Sequence, residues 1–287
     1  MTVVVSPDLG YTHRARLFLP HLFMKRINRW FCLLLAVSFA AVAWAESPSA
    51  FPSGVTGEFV SLDLKTGKYF RVNPSGCAKQ FPPYSSFKIP NSLIGLETGV
   101  IKNADEKWHW DAEKYPGSDW VSGERKRIWE QDLELRRALE HSIVWYYREL
   151  ATRVGEKRMK EWLKTFDYGN QDISAGLNRF WLGDSLRISP DEQVQFLTKL
   201  QRGEFPVSRK NLDVVKEILT RETTPEYRWI GKTGSSGEGE GWLVGWVEAK
   251  DSGCSYALHL TASSYGEMAK ARPAIAKELL KKAGCLK

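Results

Sequence analysis

Strand-like sequence lies at the two ends of this chain and helical sequence in its middle, and that distribution narrows the fold more than any other feature. Residues 58–73 alternate in polarity around Lys65-Thr66-Gly67, the pattern of a β-hairpin. From about residue 85 to 220 the pattern is mainly helical. Its clearest start is Ser189-Pro190-Asp191-Glu192: a Ser cap, Pro at the first helical position, and Glu three residues after the cap. Residues 227–230, 242–248 and 256–262 return to aromatic and β-branched content. Residues 270–282 read as a closing helix with Pro273 near its start. The expected fold is α+β: a central antiparallel sheet built from both chain ends and flanked by helices, with a helical lobe from the middle. No internal repeat or linker tract interrupts residues 46–287, which read as a single domain.

The formal charge of +7, from 41 Lys and Arg against 34 Asp and Glu, would by itself suggest a polyanionic or membrane-surface partner. The N-terminus changes that reading. After Met24 come Lys25, Arg26 and Arg29, then an uncharged, mostly apolar run over residues 31–45 that closes on Ala43-Trp44-Ala45. A basic start, a short apolar core and an Ala-x-Ala exit predict a secretory signal peptide over residues 24–45. The run is shorter than the ~20 residues that span a bilayer. Residues 1–23 have no role in such a leader, so Met24 reads as the true start. Cleavage after Ala45 would leave 242 residues with 36 basic and 33 acidic side chains, a charge of +3. Without basic runs interleaved with aromatics, no nucleic-acid partner is expected, and no membrane association after signal cleavage. The expected product is secreted, into the periplasm of a bacterium. It keeps Cys77, Cys254 and Cys285. One pair could bridge and leave one free, and the sequence does not choose the pair. Nor does it fix the oligomeric state.

Ser85-Ser86-Phe87-Lys88 is the only Ser-x-x-Lys in the chain. On a helix, positions i and i+3 share a face, so the lysine amine reaches the serine hydroxyl and, when neutral or derivatised, can activate it as a nucleophile. Pro82-Pro83 favours an extended approach that sets Ser85 at a helix N-terminus, where backbone N–H groups favour an oxyanion. Pro90 argues that this first turn is irregular. In a chain with this many Ser and Lys, about one such match arises by chance, so the motif decides nothing alone.

Lys232-Thr233-Gly234 follows strand-like sequence and leads into Ser235-Ser236. A lysine, a hydroxyl and a position without a side chain along a strand edge could hold a carboxylate and admit a substrate backbone. Lys65-Thr66-Gly67 is the same triplet with a plainer explanation as a turn. Ser142-Ile143-Val144 falls in the helical stretch 132–151, and its plain reading is a helical Ser among core aliphatics. Tyr168-Gly169-Asn170 is a turn by composition, and Trp181 would ordinarily be a core aromatic. No Gly-x-Ser-x-Gly elbow occurs, and His109, His141 and His259 are too dispersed for a zinc motif. No metal is expected, and His259, within a strand, reads as structural.

In conjunction these elements say more. Ser-x-x-Lys, Ser-x-Val, Tyr-Gly-Asn and Lys-Thr-Gly occur in that order at residues 85, 142, 168 and 232. The chain resembles the class D, oxacillinase-type, serine β-lactamases over nearly all of residues 46–287. Lys88-Ile89-Pro90-Asn91-Ser92, Phe180-Trp181-Leu182, Ile188-Ser189-Pro190 and Gly241-Trp242-Leu243-Val244-Gly245-Trp246-Val247 extend the likeness. The resemblance implies the β-lactamase and penicillin-binding-protein fold and hydrolysis of β-lactams as small-molecule substrates, conferring resistance. It implies a Lys88 carboxylated by CO2 (N6-carboxylysine), with no other cofactor, acting as general base. It further implies Ser85 as nucleophile, the backbone N–H groups of Ser85 and Ser235 as oxyanion donors, and Ser142 as the proton donor to the ring nitrogen. Lys232, Thr233 and Arg272 would take the substrate carboxylate, Val144 and Gly234 would be further substrate-binding positions, and the Trp181 N–H would anchor the carbamate. Phe87, Ile143, Val144, Trp181 and Leu182 would wall the lysine pocket. Ser86 stands where the family usually has Thr. Two other readings share the motifs: a β-lactam sensor that is acylated without turnover, and a peptidase acting on cell-wall peptides.

Overall fold

The hairpin near the N-terminal end is closed by a side-chain-capped turn. In the computed structural model, which describes residues 50–117, 123–250 and 253–286, strand β1 (Thr56–Asp63) pairs antiparallel with β2 (Tyr69–Val72). Asp63 Oδ1 accepts the backbone N–H groups of Lys65 and Thr66, each at 2.8 Å. Gly67 follows with φ 70°, a conformation glycine adopts without a steric penalty. Lys65-Thr66-Gly67 is therefore an exposed turn. The signal-peptide reading of residues 1–45 lies outside the described residues, which fall within one compact unit, Ser47–Lys287.

After α1 (Pro74–Cys77), a single 3-10 turn, Tyr84–Phe87, leads into α2 (Lys88–Glu97). Strands β3 (Lys107–Trp108) and β4 (Leu133–Glu134) form a small ladder around α3 (Gly123–Trp129). Helices α4 (Leu135–Glu140), α5 (Val144–Val154), α6 (Glu156–Phe166), α7 (Pro190–Arg202) and α8 (Arg209–Ile218) complete the middle of the chain. Strands β5 (Thr220–Thr223), β6 (Tyr227–Ser235), β7 (Glu240–Ala249) and β8 (Gly253–Thr261) follow, then α9 (Tyr265–Lys282). The sheet runs β2-β1-β8-β7-β6-β5, every neighbour antiparallel. It is assembled from both ends of the chain, as the strand distribution predicts.

Alternation along the strands sorts side chains to the two faces. Phe59, Leu243, Val247 and Leu258 pack with Met268, Ile275 and Leu279 of α9. Val60, Ile230, Trp242, Val244 and Trp246 turn the other way, into the core shared with the helical lobe. A Cys254–Cys285 disulfide ties β8 to the third residue beyond α9. Closing a loop of 31 residues stabilises the folded state by about 3–4 kcal/mol in the chain-entropy account. Cys77 is buried and free, its thiol donating to Phe59 O at 3.4 Å.

Three expectations change. Ser142 is not helical: α4 ends at Glu140, and Ser142 takes φ 62° before Ile143 begins α5 in extended geometry. A left-handed non-glycine residue costs about 1–3 kcal/mol, more than a helix needs to spend on an ordinary core serine. The closing helix begins at Tyr265, where Ser264 Oγ caps the Glu267 N–H, so Pro273 is interior and not near the start. A strong cap outweighed the breaker, whose missing N–H removes one ladder bond. Strands β3 and β4 lie inside the stretch expected to be mainly helical, and β5 begins where that stretch ends. Two to four residues, largely polar in β5, carry too little alternation to register.

Candidate active site

Ser85 sits in the 3-10 turn and Lys88 opens α2, so the i, i+3 spacing brings Lys88 Nζ to 2.7 Å from Ser85 Oγ. Pro90, two residues into α2, needs no N–H partner there, which accommodates the tight entry. Lys88 is fully buried. Burial, reinforced by the charges of Arg148 and Arg125, depresses its pKa to about 7. A neutral amine, able to accept the serine proton, is therefore accessible near neutral pH. The Tyr147 ring lies 5.1 Å from Nζ, a wall the sequence did not suggest. Tyr147 is fixed in turn by a 2.7 Å hydrogen bond between its hydroxyl and Ser92 Oγ.

A second lysine–serine pair faces the first. Lys232 shares a face of β6 with Ile230, the face toward the helical lobe. Its Nζ donates to Ser142 Oγ and to Thr233 O, both at 3.0 Å. Burial, followed by the charge of Lys88, pulls the Lys232 pKa well down. The break at Ser142 has its use here, since the left-handed turn aims the hydroxyl at the strand. Gly234 comes next on the same face. A Cβ there would stand 2.8 Å from Pro83 O and about 3 Å from the Ser86 and Ser85 nitrogens, so the missing side chain is what lets β6 pass against the nucleophile turn.

A cavity of about 200 Å³ opens over these groups, lined by Ser85, Ser142, Val144, Thr233, Gly234, Ser235 and Arg272. Arg272 is mostly buried and donates to Gly234 O at 3.1 Å. Burial lowers its pKa to about 10, still cationic at neutral pH. Arg125, Trp129 and Tyr265 also line this cavity, and no motif marked them. A second cavity of about 620 Å³ shares Ser85, Val144 and Ser235 and continues past Tyr84, Arg148 and Leu182. At its edge Arg179 and Asp184 form a two-point ion pair at 3.0 and 2.8 Å.

Trp181 is fully buried and stacks on Phe87 with ring centroids 5.8 Å apart. Its indole nitrogen has no hydrogen-bond partner among the described residues, an uncommon state for a buried donor. Tyr168-Gly169-Asn170 lines neither cavity. It is a turn pinned to the backbone at Arg187, where Asn170 Oδ1 accepts the Arg187 N–H at 2.9 Å and a Cβ on Gly169 would strike Arg187 O. Ser86 turns inward, donating to Pro83 O at 2.7 Å and accepting from Gln193 Nε2 at 3.0 Å.

The arrangement offers a nucleophilic hydroxyl with a base at hydrogen-bond distance, a second hydroxyl backed by a lysine, and an arginine at the mouth. That is chemistry for acyl transfer on a small, carboxylate-bearing molecule. The family model described as the penicillin binding protein transpeptidase domain matches residues 38–281. Over 212 residues the chain is 42% identical to Beta-lactamase OXA-19 of Pseudomonas aeruginosa, covering 72% of this chain and 76% of that protein. It is 34% identical over 209 residues to Regulatory protein BlaR1 of Bacillus licheniformis, covering 71% of this chain and 33% of that one. Among solved structures, that of FUS-1 (OXA-85), a class D β-lactamase from Fusobacterium nucleatum subsp. polymorphum, is similar with a TM-score of 0.73 and 36% identity. The match covers 82% of this chain and 95% of that chain.

Proposed function

The chain belongs to the class D β-lactamases, serine hydrolases of the β-lactam ring that confer resistance, and from that premise we propose that it cleaves the lactam amide of penicillins through an ester on Ser85. The 2.7 Å approach of a fully buried Lys88 Nζ to Ser85 Oγ carries this reading. Carboxylated by CO2, Lys88 supplies a general base for both half-reactions. Two features of the pocket suit that modification: the amine is readily neutral, and the buried Trp181 N–H lacks an acceptor.

The carboxylated Lys88 would take the Ser85 proton as Ser85 Oγ attacks the lactam carbonyl. The backbone N–H groups of Ser85 and Ser235 hold the developing oxyanion, each donor worth ~3–4 kcal/mol in comparable sites. When the C–N bond breaks, Ser142 gives its proton to the departing nitrogen and Lys232 restores it across their 3.0 Å hydrogen bond. Lys232, Thr233 and Arg272 hold the substrate carboxylate. With its first proton passed on to refill Lys232, the same base would take a proton from water as water attacks the ester, and return it to the departing Ser85 oxygen as the opened product leaves.

The likeness to a regulatory protein supports one competing reading, a sensor that is acylated and does not turn over. Steady-state hydrolysis of a penicillin, with and without added bicarbonate, separates the two. Turnover that bicarbonate stimulates is expected; stoichiometric acylation alone would make the chain a sensor, and bicarbonate-independent turnover would remove the carbamate. The pH profile follows from Lys88. Below about 7 its ammonium neither accepts the serine proton nor adds CO2, so kcat falls as pH drops through that value. A rate flat from pH 5 to 8 would contradict the assignment.

Secretion to the periplasm belongs to the same proposal. The Cys254–Cys285 bridge is the feature that supports it, since such bonds persist in oxidising compartments.

A further inference from the structure

The residue before the nucleophile is a tyrosine in left-handed backbone. Tyr84 has φ 46°, a conformation that an aromatic side chain disfavours and that persists only where surrounding contacts impose it. One such contact is visible at the far end of its ring, where the hydroxyl donates to Glu240 Oε2 at 2.7 Å. The other oxygen of Glu240, at the start of β7, stands 3.0 Å from His259 Nε2, and His259 Nδ1 stands 2.9 Å from Glu58 Oε2 on β1. Glu58 Oε1 in turn accepts from Asn73 Nδ2 at 3.2 Å.

His259 is 1% exposed and has Phe81 stacked on it at 3.9 Å and Trp242 tilted against it at 4.6 Å. The indole of that Trp242 donates to Pro82 O at 2.8 Å, so the same cluster grips the chain two residues upstream of Tyr84. With a carboxylate oxygen at each ring nitrogen, both nitrogens donate only when the ring is an imidazolium. The row then reads Glu58 anion, His259 cation, Glu240 anion, Tyr84 hydroxyl, nucleophile turn. No catalytic motif contains these residues, and the lysine–serine chemistry uses none of them.

We propose that Tyr84, Glu240, His259 and Glu58 form a charged tether across β1, β8 and β7 that positions the Ser85 turn for attack on the lactam. The inference rests on the reading of Ser85 as nucleophile. Tyr84 acts through the backbone of its neighbour and is a positioning residue. The tether has a protonation state to lose. Burial disfavours the imidazolium, but hydrogen bonds to Glu240 and Glu58 outweigh it and hold the His259 pKa above its usual value. For Glu240 burial works upward, and the hydrogen bonds from His259 and Tyr84 bring its pKa below the usual value. Arg187 also bears on Glu240, Glu238 and Arg187 bear on Tyr84, and the Cys77 thiol lies within the field of Glu58. A group whose folded pKa is raised contributes fully at low pH and loses its contribution as pH climbs through that value. The tether is therefore favoured on the acid side of the His259 titration and released on its alkaline side.

The test is the pre-steady-state acylation rate with a penicillin from pH 6 to 10, for the unaltered chain, Tyr84→Phe and Glu240→Gln. Tyr84→Phe deletes one hydroxyl and keeps the ring. Its acylation rate at pH 7 should fall about tenfold, the scale of one hydrogen bond to a charged acceptor. Its alkaline limb should be displaced from that of the unaltered chain, and Glu240→Gln should displace the limb too. A purely structural role would lower the melting temperature and leave the pH profile of the folded fraction unchanged. Unaltered acylation rate and alkaline limb in Tyr84→Phe would overturn the tether, whether or not Glu240→Gln folds. An unaltered chain that penicillin never acylates would overturn the Ser85 reading and the tether with it.

Discussion

Lys88→Ala is expected to convert the enzyme into a slow, single-use acceptor: penicillin still reaches Ser85, and the ester then stays. Removing a positioned general base costs about 10²–10⁴ in rate per proton-transfer step. Deacylation suffers visibly, because water is a poorer nucleophile than a serine already held against the carbonyl. Mass spectrometry of the intact chain after mixing should show the penicillin adduct persisting, and added bicarbonate should no longer accelerate turnover. Stability provides the control. The amine is fully buried and its charged form disfavoured there, so its removal takes away a desolvation cost while leaving a cavity. The melting temperature should change little against the activity loss. Turnover at the unaltered rate would show that another group is the base.

Ser85→Ala should produce the larger loss, at least about 10⁴-fold in kcat, with no covalent adduct under any condition. Ser85 makes its hydrogen bond with Lys88, so little of the fold depends on the hydroxyl, and saturable binding of penicillin should remain. An adduct formed by the alanine variant would place the nucleophile elsewhere, with Ser142 the next hydroxyl in the same cavity. The two variants together separate acyl formation from acyl release, which a single loss of activity would leave merged.

Much of this site was legible because its chemistry is local. Ser85 and Lys88 are three residues apart, and one helical turn suffices to join them. Lys232, Thr233 and Gly234 lie along one strand whose alternation fixes their faces. Ser142 is a candidate by its motif, and the expectation that it is helical fails because a left-handed serine carries no mark in the residue string: the turn lies where the chain passes from α4 to α5. Arg272 was located only by its distance from the end of the chain, and its place beside Gly234 depends on how α9 crosses the sheet. Tyr84, Glu240 and His259 were beyond reach for the same reason. They are separated by up to 175 positions and meet only through strand register, in which His259 faces Trp242 on one side and Glu58 on the other. From the sequence His259 reads as structural; in the fold it lies buried between two carboxylates.

The two cavities beside Ser85 carry an imbalance of charge. Among the described residues, Arg125 and Arg272 line the smaller one with no acidic neighbour in its wall, and in the larger one Asp184 is paired with Arg179 while Arg148 has no acidic partner. Penicillins are anions at neutral pH, so the mouth of the cleft attracts them before any contact is made. Focused fields of this kind accelerate encounter by about 10–10³-fold. They fade over a Debye length, ~8 Å at physiological ionic strength. Capture of dilute antibiotic should therefore weaken with added salt while the chemistry beneath, enclosed and short-ranged, runs on undisturbed.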